Sequence, residues 1–273
     1  MGVTQQLRRL WQPRQGLPER KLTDLEAQIP VSSSLTDKWD REWLAYFLTE
    51  DPKPFFFAHD QLKRTAEIRH QMPIEVYHTS LFEVEGFGAL PPLCIWASGD
   101  ELIDKRILEL GCGPGLLGKQ LGQVAAAYLG IDYSRFALQI ATLTSPNNCT
   151  YLHLSELDAM SPYAGTIDTM VGRFFFIHQN YQNLMWIFQL ATMLLKPNGR
   201  ICADFYLANP AMPQGIVHPA RAELDARYPS CAFAYTVPDI EKAAAARGFA
   251  VESVMDQIDL QRRFAVFVKK AVA

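Results

Sequence analysis

Between Arg106 and Leu207 short apolar runs alternate with stretches of helical pattern, and this alternation constrains the fold more than any other feature of the chain. The runs are RILEL (106–110), AYLGID (127–132), CTYLHL (149–154), TIDTMVGRFF (166–175) and GRICADFYL (199–207). Helical patterns lie over about 115–124, 134–143 and 181–195. The crossovers are long enough to lay successive strands parallel, so the pattern predicts a parallel sheet with helices on both faces. The end of the chain breaks this rhythm. TVPDIEKAAAARGF reads as a capped helix that stops at Gly248, and FAVESVMDQ and RRFAVFVKKAV follow with only IDLQ between them. Parallel neighbours need roughly a dozen connecting residues, so these last two runs are expected to pair as an antiparallel hairpin. A six-stranded dinucleotide fold does not end this way.

The 273 residues suit one large domain or a core with an appendage, and 49% hydrophobic with 20% charged content is ample for a buried core. A net charge of −3 argues against a nucleic-acid surface, which needs a basic excess. Cys94, Cys112, Cys149, Cys202 and Cys231 are scattered, with no CxxC pair. That reads as reduced thiols rather than a disulfide frame. No His or acidic pair shows ligand spacing, so no metal is expected. The start has no apolar stretch of a secretory signal, and Gln6 stands where a myristoylation motif needs Ser or Thr. No run approaches the ~18 apolar residues of a membrane span. The expectation is a cytoplasmic protein with neither a membrane nor a nucleic-acid partner, its oligomeric state open.

Residues 1–20 are rich in Arg, Gln and Pro and read as a mobile arm. Residues 21–100 read as a mostly helical extension or lid. In it, SLTDKWDREWLAYFLTED sets Trp39, Trp43, Phe47 and Leu48 at helical spacings, with Ser34 or Thr36 as a cap and a second helix near His59–His70. Residues 101–273 form the core. Within it, 208–234 (ANPAMPQGIVHPARAELDARYPSCAFA) is longer than a usual connection and reads as a lid-like insertion.

The first strand runs into ILELGCGPGLLGKQL, which holds Gly111, Gly113, Gly115 and Gly118. Such a cluster costs backbone entropy, so something must lie close to bare backbone. Gly118 suits tight packing of the following helix. GPGLLG fits the dinucleotide pattern G-x-G-x-x-G, and Asp132 follows Gly113 by 19 positions, so spacing alone leaves a dinucleotide open. Glu109, at the strand tip, weighs against it. A carboxylate facing a pyrophosphate is unfavourable, whereas one facing an ammonium or sulfonium is favourable.

ILELGCGPG resembles the glycine-rich motif of the class I S-adenosylmethionine-dependent methyltransferases. The resemblance continues in order through YLGIDYSRFALQIA, SELDAM, TIDTMVGRFFFIH, LLKPNGRICADFY and YTVPDIEKAAAARGF, from about Arg106 to Val272. It implies a Rossmann-like, mainly parallel seven-stranded α/β sheet with helices on both faces and a C-terminal antiparallel hairpin. It also implies S-adenosyl-L-methionine as cofactor and S-adenosyl-L-homocysteine as product. On this resemblance Gly111, Gly113 and Gly115 let the methionine moiety and ribose approach the backbone. Glu109 would sit near the cationic amino-acid end, and Asp132 would offer two oxygens to the two ribose hydroxyls. Tyr133 would cover the adenine edge, Asp158 would accept from the adenine amine, and the Ala159 amide would donate to the ring.

The tip of the fourth strand faces both ligands in that family. GRFFFIHQN replaces the N/D-P-P-Y/F signature of adenine and glutamine N-methyltransferases, which speaks against those acceptors. Arg173 would neutralise a carboxylate of cofactor or acceptor. His178 is the candidate general base, because imidazole titrates near working pH. His78 and Tyr77, in VYHTSLFE, are further catalytic candidates, while His59, His70 and His153 read as surface or core residues. Tyr206, at the fifth strand's tip, would face the acceptor. The implied activity is methyl transfer to O or N of a small organic molecule, as in small-molecule biosynthesis. The alternatives are a peptide or protein acceptor, an NAD-binding oxidoreductase and a non-catalytic S-adenosylmethionine-binding protein.

Overall fold

A computed structural model describes residues 33–48, 102–173, 175–207, 233, 235–258 and 262–271. The arm 1–20, the region of the second N-terminal helix, His78, Tyr77 and nearly all of the insertion 208–234 lie outside the described residues.

Helix α1 spans Ser33–Leu48. Ser34 and Thr36 therefore lie inside the helix, not at its cap. The sheet begins with β1 (Arg106–Leu110), β2 (Ala127–Asp132) and β3 (Cys149–His153), separated by α2 (Leu116–Leu121) and α3 (Arg135–Thr144). After the single turn α4 (Leu157–Met160), β4 (Ile167–Gly172) leads through a 3-10 turn at Phe176–His178 into α5 (Tyr181–Leu194). Next come β5 (Leu195–Tyr206), α6 (Val237–Ala245), β6 (Phe249–Gln257) and β7 (Arg262–Lys269). The strands form one sheet in the order β3-β2-β1-β4-β5-β7-β6. β1 to β5 are mutually parallel, and β7 runs antiparallel between β5 and β6. The hairpin expected from the short IDLQ connection is therefore present.

Strand period sets the two faces of the sheet. Ile107, Tyr128, Val171 and Cys202 pack on one face with Leu117 and Leu121 of α2. Their neighbours Leu108, Leu129, Met170 and Ile201 pack on the other, against Leu184, Ile187, Phe188 and Leu194 of α5 and Ile240 of α6. Local capping fixes where the helices start. Ser134 accepts from the Ala137 amide at α3, Asn180 from the Asn183 amide at α5, and Thr236 forms a reciprocal box with Asp239 at α6. Gly248 takes φ +79° just beyond α6.

Two boundaries differ from the sequence pattern. The apolar run 166–175 suggested a long fourth strand, yet β4 ends at Gly172. Phe176 folds back so that its ring fills the space a Cβ on Gly172 would need, and the chain leaves the sheet there. β5 starts earlier than expected, at Leu195, and its pairing with β4 is offset between Ile167 and Thr169. At the far rim, β6 carries a register shift between Val251 and Ser253. Its exposed face holds two ion pairs, Arg200–Glu252 at 2.9 Å and Arg263–Asp256 at 2.7 Å.

Candidate active site

The C-terminal ends of β1, β2, β3 and β4 converge on the turn that follows β1. Gly111, Gly113 and Gly115 all adopt positive φ, at +70°, +51° and +76°, a conformation strongly unfavourable for side chains with a Cβ. The turn is tethered to β2, with the Gly111 amide 2.8 Å and the Cys112 amide 3.2 Å from the Ile131 carbonyl. The three glycines do different work. A Cβ on Gly115 would lie 2.8 Å from the Tyr151 hydroxyl and 2.9 Å from the Ala141 Cβ, so that glycine is demanded by packing within the protein. A Cβ on Gly111 would lie 2.6 Å from the Phe175 ring, and one on Gly113 would lie 2.5 Å from the Trp43 ring of α1. Phe175, Trp43 and Tyr151 thus each occupy the place of one missing Cβ along the turn. Gly118 serves packing as expected, since the Tyr151 hydroxyl and Tyr128 ring crowd it.

Asp132, at the end of β2, is buried and staples the turn. One oxygen accepts from the Gly113 amide at 2.8 Å and the other from the Ser134 amide at 2.8 Å. Burial pushes its carboxyl up to about 6, opposed by the amide bonds, with Asp40 of α1 adding to the rise. The backbone amides of this turn thus take up part of the acceptor capacity of the two oxygens that the resemblance assigns to ribose hydroxyls. Glu109 lies on the neighbouring strand and accepts a hydrogen bond from the Tyr128 hydroxyl. Burial pushes its carboxyl up to about 8 despite the Tyr128 bond and the nearby Arg173 guanidinium, with Asp132 adding to the rise. Two carboxylates thus sit in low dielectric beside a bare turn, each held short of comfortable ionisation.

The other candidates surround this centre. The Tyr133 ring stacks on Phe175, with centroids 6.1 Å apart and planes 17° from parallel. Its hydroxyl donates to Gln179 Oε1 at 3.4 Å. Asp158 and Ala159 are exposed in α4, at the loop after β3. Arg173, just past β4, is buried near Glu109. His178 ends the 3-10 turn and meets the Trp39 ring edge-on, centroids 5.1 Å apart. Tyr206 is buried at the end of β5 with the Arg262 guanidinium 4.7 Å above its ring, and burial pushes its hydroxyl up to about 12. Arg262 also forms a buried ion pair with Asp204. Among the described residues no group of three His, Cys, Asp or Glu is placed to hold a metal, and no helix is long and apolar enough to cross a membrane.

Several residues at this edge carry no sequence signal for it. Gln179 is buried, donates to the Phe175 carbonyl at 3.1 Å, and its own carbonyl accepts from the Tyr235 hydroxyl at 2.8 Å. It ties the segment after β4 to the approach of α6. Phe233, near the end of the 208–234 insertion, donates its amide to the Ile177 carbonyl at 2.8 Å. His153, read from sequence only as surface or core, is buried at the β3 tip. Its Nε2 lies 2.8 Å from the Tyr133 carbonyl and 3.0 Å from the Thr36 hydroxyl, and its Nδ1 lies 2.6 Å from the Ser155 hydroxyl. Burial, followed by the Arg135 charge, lowers its pKa. Trp39 and Trp43 were visible as a helical stripe, but nothing in their spacing marked this edge as their destination.

Residues 107–199 match the family model described as a methyltransferase domain. Over 105 residues the chain is 26% identical to the ubiquinone biosynthesis O-methyltransferase of Vibrio parahaemolyticus, covering 37% of this chain and 44% of that protein. The corresponding protein of Aromatoleum aromaticum is 36% identical over 70 residues, 24% of this chain and 30% of its own. The chain thus spans less than half the length of the curated relatives it matches. In fold, it is similar to an S-adenosylmethionine-dependent methyltransferase from Mesorhizobium loti, with a TM-score of 0.51 at 20% identity over 62% of this chain and 92% of that one. The matched segment contains the glycine turn and both carboxylates, and the sheet ends in the antiparallel β7. Residues 107–199 are thus similar to a methyltransferase domain, and the sheet shares the fold of an S-adenosylmethionine-dependent methyltransferase.

Proposed function

We propose that this protein transfers the methyl group of S-adenosylmethionine to a hydroxyl oxygen of a small organic acceptor. The observation that carries the reading is the pair of buried carboxylates, Glu109 and Asp132, beside a turn stripped of side chains. A pyrophosphate would add negative charge where two acids are already poorly solvated. A sulfonium or ammonium group would stabilise both. The donor set therefore fits a cationic thioether nucleoside.

S-adenosylmethionine supplies a methyl group already activated on sulfur, so the protein's task is chiefly alignment, worth roughly 7–11 kcal/mol in favourable cases. Asp132 presents its remaining acceptor sites to the ribose hydroxyls, and Tyr133 lies against the base. Asp158 and the Ala159 amide are assigned to the adenine edge, a reading their exposure after β3 supports. Glu109 faces the amino-acid end, and Arg173 its carboxylate. As the acceptor oxygen bonds to the methyl carbon, the carbon–sulfur bond would break with its electron pair left on sulfur, and a ring nitrogen of His178 would take the hydroxyl proton. Tyr206 supports the acceptor side from within the sheet. The two curated relatives described above are O-methyltransferases by name, which supports oxygen as the atom methylated.

The test is calorimetric titration with S-adenosylmethionine and with NAD, followed by a hydroxylated-aromatic panel scored for S-adenosylhomocysteine. Binding of the sulfonium alone, with turnover on a phenolic hydroxyl, is expected. Tight NAD binding without a response to S-adenosylmethionine would overturn the reading.

A further inference from the structure

Helix α1 crosses the rim of the sheet with one face turned toward the candidate cofactor site. Thr36, Trp39, Asp40 and Trp43 fall at spacings of three and four, which brings them to the same side of a helix. Each reaches a different part of the site. Thr36 bonds His153 at the β3 tip, and Trp39 meets His178 after β4. One oxygen of Asp40 accepts from the Ser134 hydroxyl at 2.7 Å and from the Phe136 amide at 3.0 Å, at the start of α3. The Trp43 ring lies against Gly113, with Cζ2 2.5 Å from where a Cβ would stand.

Gly113 is the residue whose amide is held by Asp132, the acid assigned to the ribose. A ring seated that close to its Cα leaves no room for another group on that side of Gly113. Asp40 also brings a third carboxylate near Asp132 and raises its pKa. A like charge there is tolerable while Asp40 is occupied by the Ser134 hydroxyl and the Phe136 amide. The two contacts are one helical turn apart, so release of one loosens the other.

We propose that α1 is a self-plug: Trp43 takes the cofactor's place over Gly113, Asp40 latches the helix to the start of α3, and the cofactor binds only when this helix swings aside. This rests on the assignment of the turn as a cofactor cradle. A closed form that excludes ligand weakens apparent affinity by the fraction of molecules that are open.

The probe is S-adenosylhomocysteine, titrated calorimetrically and by stopped flow into the full-length protein and two variants. Trp43→Ala is expected to tighten binding by about tenfold if about a tenth of the wild-type molecules are open, with a faster association rate. Asp40→Ala removes the latch and is expected to shift affinity and rate in the same direction. Melting curves establish that each variant is folded, and because the two changes act through different contacts, either folded variant suffices. Equal or weaker binding in the folded variants would overturn the plug while leaving the cradle intact, since the ligand still binds. Failure of wild type and variants alike to bind the probe would overturn both the plug and the reading beneath it.

Discussion

Buried acids are neutralised differently on the two sides of the sheet. At the tip of β2, Asp132 is held by two backbone amides, from Gly113 and Ser134, both belonging to turns that adjoin β1 or β2. At the tip of β5, Asp204 is held by the guanidinium of Arg262, which arrives from β7 and also covers Tyr206. The first arrangement spends main-chain donors that the turns must place somewhere in any case, and it leaves acceptor sites open. The second consumes two side chains on each other. One side keeps main-chain donors on its acid; the other ties two strands together at an antiparallel junction.

That contrast breaks most visibly if the β5–β7 side is cut first. Arg262→Ala leaves Asp204 buried without its counter-charge and is expected to lower stability by about 3–5 kcal/mol in denaturant titration. Replacing both partners by apolar residues of similar volume should recover most of that loss. In neither case should S-adenosylmethionine affinity move, because no cofactor contact is assigned there. A change in affinity matching the change in stability would erase the distinction between the two sides.

On the β2 side the expected damage is to binding. Asp132→Ala removes an acceptor shared by two amides and the assigned ribose contacts, and should weaken S-adenosylmethionine by about 3 kcal/mol in calorimetric titration. Undiminished affinity would mean that β2 does not form the ribose site. His178→Ala separates chemistry from binding: turnover should fall by about 100-fold, near 2.7 kcal/mol, with cofactor affinity retained. A loss below about tenfold would return His178 to a packing role beside Trp39.

The smallest expected effect is also the most specific to the β1–β2 side. Glu109 holds its proton up to about pH 8 in the ligand-free protein, chiefly because burial penalises its charge. In that state its folded pKa stands above the unfolded value of 4.5. Its contribution to stability is therefore complete below pH 4.5 and lost as pH rises through about 8. A bound cation reverses the preference and expels the proton. Affinity should rise with pH by at most about tenfold per unit and level off above about 8. Titration at pH 7 in buffers of different ionisation enthalpy should register the released proton, and Glu109→Gln should abolish it.

The strands and their order of appearance were readable because each is a short apolar run bounded by turn residues, and because the last two runs sit too close for a parallel crossover. The glycine turn, Glu109 and Asp132 were readable because the sequence supplies them within one strand–turn–helix–strand unit. What was hidden depends on distant packing. The Tyr128 bond to Glu109 follows from the β1–β2 register, in which Glu109 pairs with Gly130 two residues beyond that tyrosine. Arg262 and Asp204 meet only because β7 enters the sheet beside β5 with Tyr206 opposite Arg262. The landing of α1 on Gly113, Ser134, His153 and His178 depends on contacts roughly a hundred residues apart in several cases, and local pattern carries no trace of it. Gly172 ended β4 early for a related reason: a ring four residues later needed the space.

The register shift near Val251 bears on how this sheet meets other chains. An open outermost strand exposes unpaired amides and carbonyls that invite a strand from another molecule. Here the ladder is kinked at that point, and the side chains presented alongside include two acids already committed to arginines. A visiting strand would find neither a straight template nor an uncharged flank. Growth of the sheet by lateral recruitment is disfavoured at this rim, so the hairpin that completes the fold also guards its border.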